Sequence, residues 1–289
     1  MKYEGRIFRP PSEAYSLIVQ ATIGCSHNNC DFCDMYKEKS FRVREFQDVL
    51  DDLSAARKHS GAARRIFIAD GDALILKTQD WLLLLEHIGE IFPECERVSC
   101  YASPRSILQK SSDELKLLHK NGLNMVYMGL ESGSDEVLLS VNKGACAQEI
   151  VEAGVKVKDA GIKLSVTAIS GLGGKALWQE HAVKTAKALS QMKPHYIGLL
   201  SLMLERDTPL YERFAQGAFE SLTPMEIAAE TLLMLSNLDS EGSVFRSNHA
   251  SNYLMLGGNL NRELEDMKQL LKDAIDGKVG YKDERMRRL

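Results

Sequence analysis

Short runs of apolar and β-branched residues alternate along this chain with longer stretches whose apolar positions recur at helical spacing. The runs SLIVQATI (16–23), RIFIAD (65–70), RVSCYA (97–102), NMVYMGLE (124–131), KLSVTAIS (163–170) and HYIGLLSLML (195–204) predict six strands. Helical patterns lie between them at 45–60, 78–92, 111–121, 146–160 and 175–192, several of them closed by glycine at Gly61, Gly122 and Gly161. Strand and helix in alternation imply parallel pairing with right-handed crossovers, and near-continuous apolar strands suit a sheet covered on both faces. After residue 205 the pattern reads as helices only: 223–238, with Thr223 as N-cap and Pro224 in the first turn, and 262–276. The expected fold is α/β, a partial (β/α)6 TIM-like barrel of parallel strands with a C-terminal helical extension. Its expected division is a core barrel with an N-terminal lead-in at 1–210 and an extension at 211–289 that closes the barrel mouth.

Composition narrows the class. The 289 residues are 44% hydrophobic and 26% charged, with 36 basic against 40 acidic side chains, a net charge of −4. That is a globular balance with enough apolar material for a full core. No window approaches the roughly 18–20 consecutive apolar residues of a membrane span, and the first residues, MKYEGRIFRPPSEAY, lack the apolar stretch of a signal peptide. A cytoplasmic protein without membrane association is expected. The mildly acidic total argues against a broad nucleic-acid-binding face.

Three of the six cysteines, Cys25, Cys30 and Cys33, fall within nine residues; Cys95, Cys100 and Cys146 are dispersed. A tight thiol cluster in a reducing compartment is a metal or cluster site rather than a disulfide framework. Two readings compete. Three thiolates on one short loop can bind three irons of a [4Fe–4S] cluster and leave the fourth iron open to a small molecule. Alternatively His27 joins them in a zinc site, although structural zinc ligands usually come as knuckles on separate turns and a core of this size needs no staple. Cys100 and Cys146, with Met203, Met225, Met234 and Met255, read as core, and the basic tail KDERMRRL as a solvated terminus.

In parallel α/β barrels the reactive groups collect where the strands end. Here the strands are followed in turn by the Cys25–Cys33 loop, Asp70-Gly71-Asp72, Ser103-Pro104-Arg105, Glu131-Ser132-Gly133-Ser134, Ser170-Gly171-Leu172-Gly173-Gly174 and Glu205-Arg206-Asp207.

These residues resemble the radical S-adenosylmethionine (radical SAM) superfamily, over residues 16 to about 210. The family's C-x3-C-x2-C loop, with an aromatic before its last cysteine, is similar to Cys25-x4-Cys30-x2-Cys33 with Phe32, which has one residue more in its first interval. Asp70-Gly71-Asp72 resembles the family's Gly-Gly-Glu element, GLESGSDEVL (129–138) the elongator and methylthiotransferase-like branch, and ISGLGG (169–174) the Gly-rich element beside the adenine. The resemblance implies one [4Fe–4S] cluster on Cys25, Cys30 and Cys33, with SAM on the open iron. It also implies SAM contacts from Phe32, Met35, Asp70, Gly71, Asp72, Ser103, Glu131, Ser132, Ile169 and Gly171. Reductive cleavage of SAM to a 5′-deoxyadenosyl radical, hydrogen abstraction from a small metabolite, and an electron donor such as flavodoxin or ferredoxin follow from the same resemblance. Asp72 has an equal reading as the N-cap of a turn.

The segment FRSNHASNYL (245–254) is the natural candidate to define the substrate, and His249 and Asn252 are expected to contact it; local capping is the even alternative. Arg206 is a candidate for a substrate carboxylate, or else part of an ion-paired surface turn. The rival function class is a zinc- or cluster-bearing binding protein without turnover. Within enzymes, the rival is a tRNA-modifying radical SAM protein.

Overall fold

The computed structural model describes residues 2–287. Its strands are β1 (Leu17–Gln20), β2 (Thr22–Ile23), β3 (Arg42–Val43), β4 (Arg65–Ala69), β5 (Arg97–Tyr101), β6 (Leu123–Glu131), β7 (Lys163–Ser170), β8 (Tyr196–Ser201), β9 (Val244–Ser247) and β10 (Leu256–Asn259). Its helices are α1 (Phe46–Ser60), α2 (Thr78–Ile91), α3 (Pro104–Gln109), α4 (Ser112–Lys120), α5 (Asp135–Ser140), α6 (Ala147–Asp159), α7 (Gly174–Met192), α8 (Pro209–Ala215), α9 (Pro224–Ser236) and α10 (Leu264–Ile275). The fold is α/β with a mostly parallel sheet of eight strands, and each of the six sequence-predicted strands is present.

Two compact units divide the chain. The first holds the chain up to Asn28, Met35–Met128 and Ala153–Leu164. Its strands run in the order β1-β4-β5-β6, all parallel, with Leu17 opposite Ile66 and Ile66 opposite Val98. β4 has four successive buried residues, Ile66 to Ala69, as a strand covered on both faces should. The predicted glycine stops hold: Gly61, Gly122 and Gly161 all have positive φ, where a side chain would be strained. Below the strands, the lead-in turns in at Glu13, which is fully buried. Its Oε1 accepts from Arg97 Nη2 (2.9 Å), Ser99 Oγ (2.9 Å) and Tyr127 Oη (2.5 Å), and Oε2 accepts from the Ser16 hydroxyl. Burial and the Glu13 carboxylate push the Tyr127 hydroxyl well above its ordinary range.

The second unit holds Asn29–Asp34, Gly129–Glu152 and the chain from Ser165 onward, with strands in the order β7-β8-β9-β10. β8 pairs with β7 in parallel over six residues, and β9 pairs with β8 in parallel, Tyr196 lying opposite Val244. β10 closes the edge antiparallel to β9. The expectation of helices only after residue 205 is therefore corrected. Each added strand is only four residues long, LGGN in β10 carries almost no strand propensity, and the ladder to β8 rather than local sequence makes β9. α9 begins as read, with Thr223 capping the Glu226 N–H and Glu226 capping Thr223 in return.

Other core expectations divide. Cys100 and Met234 are buried, whereas Cys146 is half-buried at the start of α6, and Met225 and Met255 are exposed. The basic tail is not a solvated terminus as far as Arg287. That guanidinium is buried, stacks 3.9 Å over the Tyr253 ring, and donates to Leu202 O (2.6 Å) and Ser251 O (2.5 Å). Residues 288 and 289 of that tail lie outside the described residues.

Removing one member of a buried charged network strands the others. Glu13→Ala is expected to lower the unfolding free energy by about 3 kcal/mol, read from the midpoint of urea denaturation; Glu13→Gln, which keeps an acceptor oxygen, loses less.

Candidate functional site

In the first unit, the segment leading to Cys25 is pinned by a buried ion pair. Asp70 follows β4 directly, and its Oδ2 accepts from Gln20 Nε2, the Gly24 N–H and Lys39 Nζ, each at 2.9 Å. Asp70 is fully buried and the Lys39 side chain is 3% exposed. A carboxylate so placed needs a cation and donors to be tolerated at all. Its other oxygen, Oδ1, is buried and takes no donor among the described residues. Gly71 donates its N–H to Gly24 O (3.1 Å) and lies flat against this segment. A Cβ on Gly71 would sit 2.7 Å from the Tyr36 ring and 3.0 Å from Cys25 Cβ, so only glycine lets the turn and the cysteine approach.

Asp72 is also fully buried, but its two oxygens are filled by the protein. Oδ1 accepts from the Ser103 N–H (3.0 Å) and Ser106 Oγ (2.7 Å), and Oδ2 from Ser26 Oγ (2.5 Å) and Ser103 Oγ (2.7 Å). It makes no side-chain cap on the turn that follows. Asp72 therefore serves as a brace: it ties Ser26, beside Cys25, to the first turn of α3. Ser103 is engaged in the same brace and in a reciprocal cap with Ser106. Cys100 shares this interior, where burial first and the Asp72 charge second push its thiol well above the ordinary range.

In the second unit, the loop segment carrying Cys30, Phe32 and Cys33 is docked by its backbone. The Asp31 N–H donates to Val141 O (2.9 Å), Asp31 O accepts from the Leu210 N–H (3.0 Å), and the Cys33 N–H meets Cys30 O (3.3 Å). Phe32 and Ile169 pack on one apolar cluster around Val137, Val141, Leu172, Leu210 and Phe219. Burial, with Asp34 nearby, raises the Glu205 carboxyl above its usual range. Cys25, Cys30 and Cys33 are each half-buried, the exposure a thiolate ligand needs. Met35 is likewise half-buried, in the first unit.

The end of β6 shows why its motif carries two glycines. Glu131 has φ +60, a left-handed backbone that a side chain rarely adopts, and pairs with Lys143 Nζ at 2.8 Å. A Cβ on Gly129 would fall 1.9 Å from Glu131 Oε1, and one on Gly133 would fall 2.1 Å from Lys184 O in α7. Ser132 is buried and accepts from the Ser134 N–H (3.0 Å). Its Oγ lies 2.8 Å from Nδ1 of His181, whose Nε2 donates to Ile169 O at 3.1 Å. At the end of β7, Ser170 and Gly171 both donate to Glu230 in α9. His181 and Glu230 were not legible as site residues, because each lies mid-helix, in α7 and α9, far along the chain from the turns it serves.

Asn252 is buried and spends its amide on β8: Oδ1 accepts from Ser201 Oγ (3.1 Å) and Nδ2 donates to Leu199 O (2.9 Å). His249 Nδ1 accepts from the Ser251 N–H (3.1 Å), and burial, then Lys282, lowers its basicity. Both residues thus make local hydrogen bonds. Arg206 is exposed on the turn before α8.

The donor types suit the groups that the resemblance implies: the thiols are half-buried soft donors, and Asp70 Oδ1 is a buried acceptor without a protein donor among the described residues, as an ammonium group would require. Among the described residues no three His, Cys, Asp or Glu side chains converge as a formed metal site.

Residues 19–186 match the family model described as the radical SAM superfamily. Among curated proteins, the heme chaperone HemW of Bacillus subtilis is 24% identical over 226 residues, which is 75% of this chain and 58% of HemW. Among solved structures, coproporphyrinogen III oxidase HemN of Escherichia coli aligns with TM-score 0.56 at 19% identity, covering 76% of this chain and 50% of that one. The methyltransferase TsrM of Kitasatospora setae, solved with cobalamin and a [4Fe–4S] cluster, aligns with TM-score 0.56 at 19% identity, over 74% of this chain and 43% of that one. The chain thus spans about half the length of these relatives, and the structural likeness establishes the fold. With more than half of its residues matched by one family model, the chain belongs to the radical SAM superfamily.

Proposed function

We propose that this protein is a radical SAM enzyme acting on a small molecule, supplied with electrons by a donor such as flavodoxin or ferredoxin. The observation that carries the reading is the loop with Cys25, Cys30 and Cys33, three half-buried thiols within nine residues of a family-matched sequence. When bound, the cluster and SAM supply reductive cleavage of the sulfonium and a 5′-deoxyadenosyl radical for hydrogen abstraction.

The chain's own residues have distinct parts. Cys25, Cys30 and Cys33 hold the cluster, and Gly71 keeps the space beside Cys25 clear of a side chain. Asp70 offers its Oδ1 to the methionyl ammonium, while the Lys39 pair holds that carboxylate in place. Glu131 and Ser132 meet polar groups of SAM, and Ile169 and Gly171 flank the adenosyl part, with Phe32 and Met35 packing the loop. Asp72 and Ser103 act through the loop by bracing Ser26. His249 and Asn252 shape the rim segment that faces substrate, and Arg206, exposed beside it in sequence to Glu205, is left to recognise an acidic group.

The alternation of burial along β7 and β8 supports an interior ligand. Leu164, Val166, Ala168 and Ile197, Leu199 are buried, while Thr167, Ile169, Gly198 and Leu200 stand half-exposed on the opposite face. A parallel sheet covered by helices on one face presents such residues to a bound molecule on the other.

Anaerobic reconstitution followed by iron and sulfide analysis tests the reading: about four irons per chain are expected, and Cys30→Ala with Cys33→Ala is expected to remove most of them. The dithionite-reduced protein should give an electron paramagnetic resonance signal that shifts when SAM is added; stoichiometric zinc in place of iron would overturn the proposal. Gly71→Ala forces a Cβ against Tyr36 and Cys25, and is expected to cut cluster loading to about half, measured as iron per chain.

A further inference from the structure

Helix α9 makes two kinds of contact within the second unit. Pro224, Ile227 and Thr231 line a small cavity of about 10 Å³ that also touches Ser201, Ser247 and Asn252. Beside Ile227, three residues on, Glu230 is turned inward with 2% of its surface exposed, an unusual place for an acid. Its Oε1 accepts from Ser170 Oγ (2.6 Å) and from the Gly171 N–H (2.7 Å). Oε2 is buried and has no donor among the described residues. His181 Nε2 stands 3.9 Å from Oε1 and donates instead to Ile169 O, so the turn Ile169–Gly171 is gripped at a carbonyl by α7 and at an N–H by α9.

The packing repeats the pattern. Gly171 has φ +85, and a Cβ there would lie 2.7 Å from Ile227 Cδ1, so both the acceptor for this turn and the wall behind it come from α9. An isolated buried carboxyl is costly to the fold, and burial raises it above the usual carboxylate range. Leucine at this position would fill the space without that cost. What leucine lacks is an acceptor for two donors on a turn whose backbone could not otherwise be satisfied away from water.

We propose that Glu230 is a positioning residue for SAM, holding the Ser170–Gly171 turn in the conformation that receives the adenosyl group. This rests on the reading that places the turn beside SAM. It extends that reading by assigning the control of the turn to α9, the same helix that walls the Asn252 cavity. The seat of the cofactor and the wall of the rim cavity are then parts of one rigid helix.

The test uses the full chain, anaerobically reconstituted. The dissociation constant for SAM is measured by equilibrium dialysis, and amide hydrogen exchange is followed over residues 169–174. Glu230→Ala is expected to weaken SAM binding about tenfold, the equivalent of losing one to two net hydrogen bonds, and to speed exchange at 169–174 while iron per chain is retained. Glu230→Gln keeps an acceptor oxygen for both donors and is expected to bind within about twofold of the parent. Equal SAM affinity in Glu230→Ala, or a Gln variant as weak as the Ala variant, would overturn the proposal. Should Glu230→Ala not accumulate as folded protein, the Gln variant decides: slow exchange at 169–174 supports the assignment, and fast exchange with weakened SAM binding defeats it. SAM that binds the parent without slowing exchange at 169–174 removes the reading of the turn itself, and the proposal with it. SAM that slows exchange there yet binds Glu230→Ala as tightly as the parent removes only the part given to Glu230.

Discussion

A carboxylate taken out of water must be met by donors or it costs several kcal/mol, and that requirement organises the strand ends of this protein. Asp70 draws Gln20, Gly24 and Lys39 to itself, and so fixes the chain just before Cys25. Asp72 gathers Ser26, Ser103 and Ser106, joining the loop after β2 to the helix after β5. Glu230 does the same for the turn after β7. In each case a buried acid converts a connecting segment, otherwise free to move, into a part of the scaffold with one geometry. Catalytic and binding groups need that fixity, since a displacement of an ångström is enough to spoil them.

Close backbone approach is the second device, and it explains glycines that a sequence pattern leaves as punctuation. Gly71 lets the turn after β4 lie on Cys25 and Tyr36, and Gly133 lets the turn after β6 touch the backbone of α7. Gly129 makes room for the Glu131 carboxylate, which reaches back because Glu131 itself is in the left-handed region. Close backbone contact thus recurs at the strand ends, after β4 and at the end of β6. The strands behind them are ordinary in composition and burial.

The tail of the chain supplies a third fixture. Arg287 reaches the backbone of Leu202 and Ser251 and stacks on Tyr253, while the Lys282 N–H donates to Tyr253 O at 2.9 Å. The segment containing His249 and Asn252 is therefore held from both sides: to β8 through Asn252, and to the C-terminal residues through Arg287. Guanidinium suits this task because its flat fork can satisfy several carbonyls at once while its face rests on an aromatic ring.

Periodicity alone located the six parallel strands, the long helices and their glycine and Thr-Pro boundaries, because each of these is written in contacts between residues near in sequence. The spacing of Cys25, Cys30 and Cys33 and the order of the motifs at the strand ends identified the family, since a shared loop chemistry requires its ligands close together in the chain. What the sequence could not disclose was long-range. Strand β9 exists because β8 offers a ladder 48 residues away along the chain, as in Tyr196 opposite Val244 and Gly198 opposite Arg246, and β10 because β9 then offers its free edge. Asp72, open to reading as a SAM contact or as a cap, braces two segments distant in sequence, since its donors come from Ser26 and from the Ser103–Ser106 turn. Glu230 and His181 looked like ordinary helix residues, and Arg287 like part of a charged end. Their roles were decided by the tertiary structure, for a physical reason: hydrogen-bond satisfaction of a buried polar group depends on what surrounds it in space, and one-dimensional spacing does not encode those surroundings.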